Sequence, residues 1–228
     1  MSFDLEHVDV DGAVREAADA VSGDTRLSFL RKGAMAGGAA LGGGAILSAL
    51  VPGTALAKEV GAPPAGTFGK GDIGILNYAL TLEYLESSFY NAAAKNGVAK
   101  GDKKLTAFLN TAQRDENAHV KLLKGALGSK AAKEPQFDFG KAVTSKDTFA
   151  ATAYVLENTG VHAYLGQAGN ISNPQYLLVA ASIVTVEARH SGAIGLYLGK
   201  DIAPTATDTG WTASKVLSAV AGTHFIKS

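Results

Sequence analysis

Glutamate and histidine recur in this sequence at a spacing that suits metal binding. The chain of 228 residues contains nine glutamates and five histidines. Glu116 precedes His119 by three positions, and Glu187 precedes His190 by the same interval. On an α-helix, residues at i and i+3 lie on one face, about 60° apart with a rise of about 4.5 Å. A carboxylate and an imidazole at this spacing can therefore reach one metal ion from a single helix.

Two further glutamates each precede a tyrosine by seven positions. Glu83 is followed by Tyr90, and Glu157 is followed by Tyr164. In chain order the two kinds of motif alternate and then repeat, which indicates an internal duplication of two helices. Carboxylate oxygens together with two imidazoles suit iron or manganese. The two tyrosines are either hydrogen-bond donors to such a site or aromatic residues of the core.

The elements that must position these residues are four helices. Apolar residues recur at three- and four-residue spacing in each, and a glycine follows each helix. The predicted helices are Asp72–Asn96, Lys103–Leu127, Lys146–Ala168 and Pro174–Leu198. The four glutamates and two histidines fall on the apolar stripes, so we expect an all-α, antiparallel four-helix bundle over residues 72–200. Residues 201–228 are expected to form a tail that ends in a short helical turn, Thr212–Ala221.

Charge and composition exclude several other classes of protein. The chain has 21 basic residues, 21 acidic residues and no cysteine. Zero net charge argues against a nucleic-acid-binding protein that uses a basic face. The absence of cysteine excludes disulfides, thiolate metal sites and cysteine nucleophiles. Four core carboxylates would carry a charge of about −4, which two divalent cations would balance. Without metal ions, the carboxylates would mostly take up protons, because so many like charges repel one another in an apolar core.

The first of the four helices adds a longer stretch of recognisable sequence. Residues 76–90 read LNYALTLEYLESSFY. This stretch and the two Glu-x-x-His motifs resemble the ferritin-like di-metal carboxylate superfamily, and more narrowly the bacterial ferritin-like domain group related to plant desiccation-related proteins. The likeness covers roughly residues 70–200. It implies a ferritin-like four-helix bundle that holds two Fe or two Mn ions.

The resemblance also implies six metal ligands: two terminal glutamates, two bridging glutamates and two histidines that each bind one metal. The terminal ligands would be Glu83 and Glu157, and the bridging ligands Glu116 and Glu187. The histidines would be His119 and His190. Glu86 lies within reach of the same helix face as Glu83 and is an alternative ligand in its place. Three charged residues flank the motifs and either form surface ion pairs or orient the histidines: Arg114, Asp115 and Arg189. The other histidines are expected to take no part: His7, His162 and His224.

The amino-terminal 57 residues have the parts of an export signal. Residues 33–51 are small or apolar and uncharged, and they lie between a basic flank and an Ala-Leu-Ala tripeptide that ends at Ala57. Residues 25–31 resemble the twin-arginine (Tat) signal, with Leu27 in the place of the second arginine. We expect a signal segment cleaved after Ala57, a linker over residues 58–71, and a periplasmic or cell-envelope protein. The alternative is an uncleaved membrane anchor, because about 20 apolar residues can span a bilayer.

Three classes of function remain open from the sequence. The first is a redox enzyme whose centre reacts with O2 or peroxide, as a ferroxidase, peroxidase or catalase, in oxidative or desiccation stress defence. The second is a metal-binding protein for stress protection without turnover, and the third is a bundle in which metal only holds the helices together. The expected partners are metal ions, O2 or peroxide, and the export machinery, with a homo-oligomer left open.

Overall fold

The computed structural model describes residue 64 and residues 66–227. This part of the chain forms five α-helices and short 3-10 helices, without a β-strand. The α-helices are α1 (Gly71–Asn96), α2 (Lys103–Leu127), α3 (Lys146–Ala168), α4 (Pro174–Tyr197) and α5 (Ala213–Thr223). The all-α prediction is therefore confirmed, and the ends of the first four helices differ from the predicted ends by at most one residue. The predicted signal segment, residues 1–57, lies outside the described residues, as does His7.

Local sequence signals set the ends of these helices. The side chains of Asp102, Ser145 and Asn173 accept hydrogen bonds from backbone N–H groups at the starts of α2, α3 and α4. Each bond satisfies a donor that the helix itself leaves unpaired. Gly97 has φ 65° at the end of α1, a left-handed conformation that favours glycine. These caps define where the helices of the bundle begin and end.

Neighbouring helices of the bundle run antiparallel. α1 and α2 are joined by residues 97–102, and α3 and α4 by residues 169–173, connections short enough to require antiparallel packing. Across the two pairs, Tyr90 late in α1 contacts Glu157 in the middle of α3. Tyr164 late in α3 contacts Glu83 in the middle of α1. This crossed pair of contacts requires α1 and α3 to run in opposite directions.

Two apolar clusters fill the bundle on either side of its acidic residues. One includes Phe89 of α1 and Phe149 of α3, stacked with ring centroids 5.4 Å apart. The other includes Leu80 of α1 and Leu123 of α2. Because the helices are antiparallel, these clusters lie towards opposite ends of the bundle. The acidic residues are thereby enclosed in an apolar core, which excludes water from around them.

The carboxyl-terminal residues belong to the packed structure. Val216 and Val220 of α5 are buried in the core. The segment before α5 passes against α3 at Gly166, where a Cβ would collide with the carbonyl oxygen of Trp211. The expected tail of residues 201–228 therefore contains a docked helix. This helix starts one residue after and ends two residues beyond the predicted turn, Thr212–Ala221.

Among the described residues, α4 is the one helix that is long and apolar enough to cross a membrane, by length and composition alone. Its most apolar window has a mean hydropathy of 1.2. The same helix carries Glu187 and His190, and both side chains are buried inside the bundle. We therefore interpret α4 as a core helix.

Candidate metal centre

Four glutamates and two histidines meet in the middle of the bundle. α1 and α3 each contribute one glutamate, and α2 and α4 each contribute a glutamate and a histidine three positions later. All four glutamates are 0% exposed, and the histidines are buried as well. The six residues are Glu83, Glu116, His119, Glu157, Glu187 and His190. The structure thus brings together the six candidate ligands that the resemblance implied.

The first group of donor atoms surrounds the imidazole of His119. Its Nδ1 lies 3.2 Å from Glu83 Oε2, 3.0 Å from Glu116 Oε2 and 3.1 Å from Glu187 Oε1. One donor atom from each of the four residues lies within 4.8 Å of the others. Three carboxylates and one imidazole around a common point are a donor set for a metal ion.

The second group surrounds the imidazole of His190. Its Nδ1 lies 3.0 Å from Glu116 Oε1 and 3.3 Å from Glu157 Oε2. Glu187 completes the group, again with donor atoms within 4.8 Å of one another. Glu116 and Glu187 therefore belong to both groups, whereas Glu83 belongs only to the first. Two shared carboxylates between two donor groups can bridge two metal ions.

The buried polar atoms of the site lack the partners that such atoms usually have. An unsatisfied buried polar atom costs about 1–3 kcal/mol, and more if it is charged. Among the described residues, Glu86 Oε2 and Glu187 Oε2 have no hydrogen-bond partner. Four further carboxylate oxygens have only a histidine Nδ1 at 3.0–3.3 Å, and each Nδ1 is shared by more than one of the carboxylates, so its single N–H cannot satisfy them all: Glu83 Oε2, Glu116 Oε1, Glu157 Oε2 and Glu187 Oε1. These atoms are ordinary ligands of divalent cations. The residues present therefore fit a metal site.

Two tyrosines contact the glutamates that belong to a single donor group. Tyr164 on α3 donates a 2.5 Å hydrogen bond to Glu83 Oε1 on α1. Tyr90 on α1 donates a hydrogen bond to Glu157 Oε1 on α3. Each bond leaves the second carboxylate oxygen free to face the donor group. Of the two interpretations open for these tyrosines, the structure favours hydrogen-bond donors to the site.

Asp115 contacts the outward nitrogen of His190. Its Oδ2 lies 3.2 Å from His190 Nε2, and the same carboxylate accepts hydrogen bonds of 2.7 and 3.0 Å from Arg114. If Nε2 carries the proton, Nδ1 presents its lone pair to the site, as a metal-binding imidazole must. The sequence left two roles open for the charged flanking residues, namely surface ion pairs and orientation of the histidines. Arg114 and Asp115 form an ion pair, and Asp115 also contacts His190.

Burial and mutual repulsion shift the ionisation of the site. Burial raises the pKa of Glu116 to about 7, although contacts with the histidines partly oppose that shift. Burial and neighbouring carboxylates raise the pKa values of Glu86 and Glu187 well above their ordinary range. Burial lowers the pKa of His190, but its contacts with Glu116 and Glu157 outweigh burial and raise it to about 11. A metal ion must therefore displace protons from these groups in order to bind.

A surface groove between α2 and α4 reaches one half of the site. It has a volume of about 470 Å³, and His190 is among its lining residues. Thr111 and Ala193 line it as well, together with the cationic side chains of Lys104 and Arg189. The exposed Arg189 thus lies beside the groove. Of the six site residues, His190 alone lines this groove, while the four glutamates are 0% exposed, so the groove adjoins the site at His190.

The remaining candidates lie around the site or away from it. Glu83 is part of the first donor group, whereas Glu86, the alternative ligand, is a separate buried carboxylate, 3% exposed, that belongs to neither group. His162 lies outside the site, where it contacts the Thr209 carbonyl and stacks on Trp211. His224 follows the end of α5, also away from the site. Sequence reasoning missed Gly160, which faces Glu86 and Glu187.

A bundle of antiparallel helices, with a buried Glu-x-x-His motif on two of them, defines a protein of the ferritin-like class. A family model of the ferritin-like domain matches residues 71–200. The chain therefore belongs to the ferritin-like domain family, and the resemblance to that superfamily is confirmed. A search of curated proteins finds no match to the chain. The relation to desiccation-related proteins stays a prediction.

Proposed function

We propose that this protein binds two iron or two manganese ions at the buried site. The observation that carries the proposal is the pair of donor groups that share Glu116 and Glu187. Carboxylates and imidazoles suit these metals, and the charge of about −4 on four ionised glutamates balances two divalent cations. Glu83 and Glu157 would be terminal ligands, and Glu116 and Glu187 would be bridging ligands. His119 and His190 would each bind one metal ion.

The surrounding residues would orient the ligands and control protons. Tyr90 and Tyr164 hold the terminal carboxylates through hydrogen bonds. Asp115 contacts His190 Nε2 and so favours the tautomer whose Nδ1 faces the site. The apolar clusters keep bulk water out, which strengthens electrostatic interactions within the site. Protons displaced from the glutamates can leave towards the groove at His190.

We infer further that the centre reacts with O2 or peroxide, in a ferroxidase-, peroxidase- or catalase-type reaction. A bound pair of iron or manganese ions would supply the redox chemistry. The groove beside His190 supports this inference because a small oxidant in the groove would lie next to one histidine of the site. The signal-like sequence of residues 1–57 supports a role outside the cytoplasm, in oxidative or desiccation stress defence.

Mixing experiments on metal-loaded protein test this reaction. Protein loaded anaerobically with Fe²⁺ or Mn²⁺ is mixed with O2 or with H2O2, and consumption of the oxidant is followed. We expect faster consumption than with the same concentration of free metal. Ala193→Trp should narrow the groove and slow the reaction without changing metal content, whereas Leu178→Trp, at a 63% exposed position of α4 outside the groove, should change neither. Consumption no faster than with free metal would leave the non-catalytic metal-binding or structural role.

A further inference from the structure

The duplication that relates the two halves of the site breaks at one buried position. Glu157 of α3 follows Glu83 of α1 by 74 residues. The same interval pairs Glu86 of α1 with Gly160 of α3. One repeat therefore has a carboxylate where the other has no side chain, so the site is not symmetric.

Glutamate oxygens fill the space beside Gly160. A Cβ at this glycine would lie 3.1 Å from Glu187 Oε2 and 3.4 Å from Glu86 Oε1. These distances are at or below the limit of ordinary van der Waals contact, so a larger residue would displace one of the carboxylates. Glu86 thus extends from α1 towards α3, and its carboxylate shares this space with that of Glu187, which belongs to both donor groups.

Glu86 has no partner that would explain its burial. It is 3% exposed, and its Oε2 has no hydrogen-bond partner among the described residues. The ion pairs found in the described part of the chain do not include it. A buried carboxyl group without a partner is costly. A metal ion bound by Glu187 would provide the compensating charge.

We propose that Glu86 is a seventh ligand of the metal centre, on the side of the site that Gly160 leaves open. This inference rests on the proposed di-metal function. It makes the two metal positions unequal and adds a fifth carboxylate. Five ionised glutamates carry a charge of about −5, which one divalent and one trivalent ion balance better than two divalent ions do. A fifth ionised carboxylate from Glu86 would therefore favour a more highly charged pair of ions.

Mn²⁺ titration of the full chain tests this role. Wild-type protein should bind two Mn²⁺ ions with different affinities, read by calorimetry and by electron paramagnetic resonance. E86Q keeps the size of the side chain, and it should weaken one of the two sites by about tenfold or more and change the Mn²⁺ spectrum. E134Q is the matched control, because Glu134 is an exposed glutamate outside the site.

The outcomes separate the two proposals. If wild-type protein binds two Mn²⁺ ions and folded E86Q has the same affinities and spectrum, the role of Glu86 is overturned and the di-metal site stands. If wild-type protein binds neither Mn²⁺ nor, in the same titration without oxygen, Fe²⁺, the di-metal function itself is refuted. If E86Q does not fold, E86D provides the test, because aspartate retains the charge but its side chain is shorter by one methylene. Unchanged Mn²⁺ affinities in E86D would overturn the proposed role of Glu86.

Discussion

Tyr164 on α3 donates a 2.5 Å hydrogen bond to Glu83 Oε1 on α1. The matching bond between Tyr90 and Glu157 crosses the same two helices in the opposite sense. Each tyrosine therefore orients a carboxylate that belongs to the other sequence repeat. Neither repeat can complete its own donor group alone, so the helix pairs must assemble before the site exists.

Replacing Tyr164 with Phe should weaken metal binding and leave the fold intact. The variant loses the hydrogen bond that orients Glu83, and loss of such a partner typically costs about 10–100-fold in metal affinity. A Mn²⁺ binding isotherm measures the effect. Tyr84→Phe is the control, since Tyr84 is buried and donates to the Ala132 carbonyl away from the site. Equal affinity in Y164F and wild type would assign Tyr164 to the apolar core alone.

Neutral, isosteric substitutions should distinguish terminal from bridging ligands. Glu83 belongs to one donor group, so E83Q should retain about one metal ion per chain. Glu116 belongs to both groups, so E116Q should lose most of both ions. Metal content by mass spectrometry, with circular dichroism to verify folding, measures the difference. An E116Q protein that still holds two ions would show that the bridging assignment is wrong.

The metal-free protein should become less stable as the pH rises from about 4.5 towards 7. Burial raises the pKa of Glu116 from 4.5 to about 7, so in this range the folded chain holds a proton that the unfolded chain has released. Raising the pH then favours unfolding. Despite burial, the contacts of His190 with Glu116 and Glu157 raise its pKa from 6.5 to about 11. Its contribution to the stability of the folded chain is therefore complete below pH 6.5 and declines as the pH rises towards 11.

Thermal melting of the metal-free protein at pH 5 and pH 8 measures this dependence. We expect the lower melting temperature at pH 8, with each kcal/mol of lost stability worth roughly 3 °C. E116Q should show a smaller difference, because it removes one of the titrating groups. A melting temperature that rises between these two pH values would contradict the protonation that the site requires.

A chain that lacks residues 1–57 should fold and bind metal as the full chain does. All five helices and all six proposed ligands lie beyond residue 70. Melting temperature and metal content of the two forms provide the comparison, and we expect them to agree. If the shorter chain does not fold, residues 1–57 are part of the domain and the export-signal proposal fails.

Local patterns made the helices and the central residues predictable. A glycine follows each of the first four apolar-periodic segments, which is why the predicted carboxyl-terminal ends of α1 to α4 lie within one residue of the observed ends. Glu116 and His119 could be placed on one helix face from their spacing alone. The same reasoning placed Glu83 and Glu157 on inward faces, because each follows apolar residues at helical intervals.

The features that the sequence did not reveal depend on contacts between distant segments. Gly160 resembles any other helical glycine until two glutamates from other helices are found against it. The contact of Asp115 with His190 joins residues 75 positions apart, so no local spacing encodes it. The docking of the carboxyl-terminal segment requires a small residue at Gly166, which is apparent only once the loop at Trp211 is packed there.

Metal content per chain, measured by mass spectrometry on protein purified from its native cells, tests the di-metal proposal most directly. The two donor groups predict about two ions of iron or manganese for each chain. The identity of the ions would then show which oxidant chemistry to test first. A well-folded chain without bound metal would contradict the proposal and would leave the six residues as a buried polar network.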